Sequence, residues 1–115
     1  MKYILFTVVL VSVVLLLIAC NNKSQVNTLP SNPYLIDVRT PAEFESGSVP
    51  NAINIPLSEV ESSIDKFKGK ENIVVFCRSG NRSGKAKTIL EANGIPNVTN
   101  GGSWNNVLEI IEREK

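Results

Sequence analysis

Ile73-Val74-Val75-Phe76 is four residues with no polar side chain to turn toward water. Such a strand has to be covered on both faces, which points to a parallel sheet between helices rather than to a sheet with one wet side. The next residue is Cys77, and the six after it are polar or glycine. Helical spacing then sets in over residues 83–93, with Ala86, Ile89 and Leu90 inward and Gly94 as the stop. Strand, short polar loop and helix are therefore joined directly at a cysteine.

The rest of the chain repeats this alternation. Tyr34 to Val38 is a second apolar run, followed by Thr40-Pro41-Ala42-Glu43, a capping box with proline at the first helical position, and by Gly47 as a terminator. Ala52 to Ile55 reads as a brief strand closed by Pro56. Ser58-Glu59-Val60-Glu61 has the capping-box pattern again, with Val60, Ile64 and Phe67 on one face and Gly69 as the stop. Val98-Thr99 reads as a short strand, Gly101-Gly102 as the turn after it, and Ser103 to Glu114 as a last helix buried through Val107, Leu108, Ile110 and Ile111. Trp104 is expected to pack that helix. The order predicts an α/β fold, a small, mostly parallel sheet flanked by helices on both faces, with right-handed crossovers. Ligands in such sheets bind beyond the carboxyl ends of the strands, where Cys77 falls.

The 115 residues allow one domain. Sixteen of the first nineteen are apolar, the exceptions being Lys2, Thr7 and Ser12. With no polar face, the run is not a core helix; it reads as a secretory signal rather than a plain membrane anchor. Leu17-Ile18-Ala19-Cys20 resembles the bacterial lipobox, which implies that Cys20 is lipidated and becomes the new N-terminus. Residues 1–19 are thus expected to be a signal peptide, residues 20–33 a lipidated end and flexible tether, and residues 34–115 the domain. The lipid would hold that domain to the cell envelope, facing outward from the cytoplasmic membrane or into the periplasm.

Charge and composition remove several classes of function. Without Lys2, the 12 basic and 11 acidic residues of the chain become 11 and 11, which argues against nucleic acid as a partner. The absence of histidine excludes Ser-His-Asp and Cys-His catalysis. Two cysteines, one of them committed to lipid, cannot build a multi-cysteine zinc site, and no metal or cofactor is expected. The chemistry left to the chain uses a thiol, carboxylates, guanidinium groups and backbone N–H groups.

Those groups converge at Cys77-Arg78-Ser79-Gly80-Asn81-Arg82-Ser83. Successive backbone N–H groups in a tight loop leading into a helix form an anion-binding concavity, and Arg78 and Arg82 add charge at its rim. Free cysteine has a pKa of about 8.5, and settings of this kind bring it to roughly 3.5–7.5. A reactive thiolate at Cys77 is expected without a histidine base. Arg82 stands at a helix start, where the dipole disfavours a cation, which favours a substrate contact over simple solvation. Asp37 is expected to fix loop N–H groups and Arg39 to pair with Glu43, neither being catalytic.

This loop, with Leu35-Ile36-Asp37-Val38-Arg39, Glu43-Phe44, the stretch Gly47-Ser48-Val49-Pro50-Asn51-Ala52-Ile53-Asn54-Ile55-Pro56 and Gly101-Gly102-Ser103-Trp104, resembles a single-domain rhodanese. The resemblance runs from Tyr34 to the C-terminus. It implies a sulfurtransferase in which Cys77 takes the outer sulfur of thiosulfate and passes it to cyanide or a thiol. Arg78, Ser79, Gly80, Asn81 and Arg82 would bind the substrate. Where the family often reads Gly-His-Ile-Pro-Gly-Ala, this chain has Ser48 for the histidine and Asn51 for the second glycine. The same loop is open to two other readings: a persulfide carrier or redox-sensing module with little turnover, and a thiol phosphatase or arsenate reductase. The last group uses Cys-x5-Arg, whereas Arg82 makes the spacing here Cys-x4-Arg, a smaller cradle suited to one extra sulfur.

Overall fold

The structure, a computed structural model, describes residues 26–115. The expected signal peptide and Cys20 lie outside the described residues. The elements are β1 (Tyr34–Asp37), α1 (Pro41–Glu45), β2 (Ile53–Asn54), α2 (Leu57–Val60) continuing as a 3-10 segment (Glu61–Lys66), β3 (Ile73–Cys77), α3 (Asn81–Ala92), β4 (Thr99–Ser103) and α4 (Trp104–Arg113). All strand pairs are parallel, in the order β2-β1-β3-β4.

Side-chain alternation along β1 and β3 builds two cores. Ile36, Val75 and Cys77, with Val38 just past β1, face one way and pack with Val60 of α2, Phe67 just past the 3-10 segment, and Ala86 and Leu90 of α3. Leu35, Val74 and Phe76 face the other way, against Val107, Trp104 and Leu108 of α4. Every residue of β3 is buried, which explains its uninterrupted apolar sequence.

The strand order sets the position of the site. The chain leaves β1 toward one edge of the sheet and β3 toward the other, so the connections diverge between these two neighbours. Their carboxyl ends, in register at Asp37 and Phe76, flank the crevice where ligands bind in open parallel sheets.

Several boundaries differ from expectation for local reasons. The capping box at Thr40 forms, with Glu43 Oε1 accepting from the Thr40 backbone N–H at 3.3 Å. The one at Ser58 does not. Its helix starts at Leu57 with Pro56 as N-cap, because the Leu57 N–H is taken by the Val38 carbonyl at 3.0 Å. Helix α3 begins at Asn81, two residues early, because Gly80 at φ +97° supplies the turn and its carbonyl accepts the Gly84 N–H at 3.0 Å. Gly101-Gly102 is no turn. It lies inside β4 as a bulge, Val75 pairing with Asn100 and Phe76 with Gly102.

Residues 26–33, expected within a tether, run along the body. Asn106 Nδ2 donates to the Val26 carbonyl at 3.1 Å, Asn72 Nδ2 to the Ser31 carbonyl at 2.7 Å, and Leu29 packs on the second core.

Candidate active site

Cys77 is the last residue of β3 and has no exposed surface. The expected reactive thiol is thus also a packed one. The Cβ side packs in the first core, and the sulfur meets polar groups of the loop above it. Gly80 donates its backbone N–H to Sγ at 3.0 Å, and Ser83 Oγ lies 3.4 Å away. Burial pushes the thiol up. The Ser83 hydroxyl, with the N–H groups of Ser83, Ser79 and Gly80, outweighs it and holds the thiol below the ordinary cysteine value.

Ser83 is itself fixed by a residue that sequence reasoning missed. Asn100, in β4, donates from Nδ2 to the Gly80 carbonyl at 3.1 Å and accepts at Oδ1 from the Gly102 N–H at 3.0 Å. Those partners fix the amide's orientation, so the 2.7 Å contact of Ser83 Oγ with Oδ1 is the serine donating. A hydroxyl has one proton. While it points to Asn100, the neutral Cys77 donates S–H to Oγ; once the sulfur ionises, the hydroxyl turns to it and Asn100 keeps the Gly102 N–H. Nothing in the linear sequence places residue 100 beside residue 83, because the β4 bulge sets that alignment.

The charged residues pair differently from expectation. Arg39 pairs with Asp37, not Glu43: Nη2 lies 2.7 Å from Oδ2 and donates also to the Gly47 carbonyl at 2.7 Å. Asp37 fixes a loop N–H as expected, accepting the Arg39 backbone N–H at 2.9 Å, and it holds the Arg39 side chain as well. The Arg39 guanidinium lies 5.0 Å from the Trp104 ring centre, so Trp104 bridges α4 to this network. Glu43 goes to Arg82 instead, in a two-pronged pair of 2.7 and 3.0 Å. Arg82 at the helix start is thus compensated by a carboxylate, and its placement there needs no substrate contact to explain it. The pair holds Glu43 down at about 2 and pushes Arg82 up. Arg78, Ser79 and Asn81 are exposed, and Gly80 is half-buried. A cavity of about 560 Å³ lined by Pro30, Lys70, Asn72 and Asn97 lies at the amino ends of β3 and β4, the opposite end of the strands from Cys77.

Comparison with known proteins decides the family. Residues 21–108 match the rhodanese-like domain. The chain belongs to the rhodanese-like domain family. It is 39% identical over 98 residues to a rhodanese domain-containing protein of Drosophila melanogaster, covering 70% of this chain and 88% of that one. It is 39% identical over 76 residues to the thiosulfate sulfurtransferase PspE of Escherichia coli K12, covering 64% of this chain and 73% of that one. Among solved structures, a rhodanese with anions from E. coli superposes with a TM-score of 0.59 at 38% identity, covering 64% of this chain and 89% of that one. The parallel four-stranded sheet between helices is the rhodanese fold.

The two departures of this rhodanese-like domain from the family pattern have local accounts. Ser48, in the histidine's place, donates to Asp37 Oδ2 at 2.7 Å and completes the buried network. Asn51, in the glycine's place, sits at φ +68°, which asparagine tolerates better than other side chains.

Proposed function

We propose that this rhodanese-like domain is a thiosulfate sulfurtransferase that works through a persulfide on Cys77. The observation that carries the reading is the Gly80 N–H on Sγ, joined by Ser83, in a loop that keeps the thiol below its ordinary value. The thiolate attacks the outer sulfur of thiosulfate; a new S–S bond forms, the old one breaks, and sulfite leaves with the bonding pair. Cyanide, or a thiolate, then attacks the terminal sulfur and regenerates the Cys77 thiolate. With cyanide no step needs a proton, which suits a chain without histidine. The N–H groups of Ser79, Gly80 and Asn81 would hold the added sulfur, and the exposed Arg78 would draw in the anion, with Arg82 at the rim held by Glu43.

The account predicts thiocyanate from thiosulfate and cyanide, and loss of that turnover to the uncatalysed level in Cys77→Ser. Retained turnover in that variant would contradict it. The complete burial of Cys77 favours a second reading, a persulfide carrier that protects its cargo. A stable gain of one sulfur with negligible thiocyanate would select the carrier.

Lys2, the apolar run and Leu17-Ile18-Ala19-Cys20 support export and lipid anchoring through Cys20, with the domain working at the bacterial envelope.

A further inference from the structure

Three guanidinium groups stand at the carboxyl end of the sheet, and two are already occupied. Arg39 is buried on Asp37, and Arg82 is held two-pronged by Glu43. Arg78 is the exposed cation of the loop. Once Cys77 is ionised, these five side chains and the sulfur sum to no net charge, although a reactant such as thiosulfate carries two negative charges.

We propose that Glu43 is a specificity-determining residue. Its carboxylate takes both terminal nitrogens of Arg82 and cancels their charge, and so biases the Cys77 site away from doubly charged sulfur donors toward donors of lower charge. The donor preference rests on the sulfur-transfer reading; the electrostatic effect on Cys77 does not. The pair is half-exposed, with 32% and 31% of the two side chains accessible, so Arg82 lies within reach of solutes. Held at about 2, Glu43 stays ionised at every pH at which a thiolate chemistry operates. It also sits at the third position of a capping box, where glutamine serves equally well. Glu43→Gln therefore removes the charge while keeping the start of α1.

The test uses two alkylating agents of nearly equal size, iodoacetate, an anion, and iodoacetamide, which is neutral. Their rate ratio at Cys77 cancels burial and thiol pKa and reports local potential. At low salt, Glu43→Gln is expected to raise the ratio about 3–10-fold, and ~1 M salt to erase most of that gain. Glu43→Asp, which keeps the charge, leaves the ratio near wild type. Arg82→Gln, which leaves Glu43 uncompensated, lowers it, and serves if the first variant fails to fold. For turnover, Glu43→Gln should lower KM for thiosulfate more than for a singly charged aryl thiosulfonate, with kcat little changed. A ratio that does not move in Glu43→Gln, or that moves equally at high salt, overturns the proposal. A raised ratio with equal KM changes for the two donors overturns the donor preference alone. A raised ratio with no sulfur transfer from either donor removes the preference together with the reading beneath it.

Discussion

At Cys77, desolvation and hydrogen bonding oppose each other. A thiol sealed beneath a loop should be harder to ionise, yet three N–H groups and a hydroxyl turn toward its sulfur and prevail. The Ser83 hydroxyl is the largest favourable contributor, so Ser83→Ala should raise the midpoint of the pH profile for alkylation by about 1–2 pH units, the effect of losing one hydrogen bond to a charged group. An unchanged midpoint would show that the backbone N–H groups suffice alone. The sequence made Cys77 and Gly80 legible because their relation is local: a turn three residues long has few ways to close. Ser83 was legible only as a helix residue, and Asn100 not at all, since its contact spans the β3–β4 pairing and depends on an insertion that no local pattern marks. The partners of Arg39 and Glu43 were misassigned for a similar reason. Four-residue spacing favours that pair on a helix, but Arg39 lies before α1 and folds back onto Asp37, two residues away.

The elements were legible in type and order, and the exceptions mark where tertiary contacts override local signals. The hydroxyl of Ser58 is a sound cap in isolation; the Val38 carbonyl, by binding the Leu57 N–H, starts the helix one residue before it. The paired glycines read as a turn because glycine is enriched there. In β4 they do different work: Gly102 takes φ +81°, and Gly101 lets α4 close on the sheet. A Cβ on Gly101 would lie 2.7 Å from Val107 Cγ2 and 3.0 Å from Val74 Cγ1, both in the packed second core. Gly101→Ala should therefore destabilise the fold by about 1–3 kcal/mol, the usual cost of overpacking, measured by denaturant unfolding. Because Asn100 is the neighbouring residue, the same variant should also raise the Cys77 midpoint. Stability equal to wild type would mean that the bulge is not held by this packing.

For the molecule as a whole, strand order turns local features into a site. With β1 and β3 adjacent and their connections diverging, Asp37, Arg39 and Cys77 arrive together at one end of the sheet, and α1 is carried over to place Glu43 on Arg82. Two of the clasps span long stretches of chain: Glu43 and Arg82 are 39 residues apart, and Asn100 and Gly80 are 20. The body extends back through residues 26–33, which lie along the domain and are tied to α4 by Asn106. Polar composition reads as a flexible tether whether or not its backbone is paired, because a carbonyl needs only a donor to be held, as those of Val26 and Ser31 are. The Asn100 clasp holds Gly80 and Ser83, the two groups that meet one sulfur. The most direct test of the account is the mass of the peptide carrying Cys77 after the protein is treated with thiosulfate. The account predicts a gain of one sulfur atom on Cys77, removed by cyanide with release of thiocyanate. No gain, or a gain confined to Cys20, would contradict it.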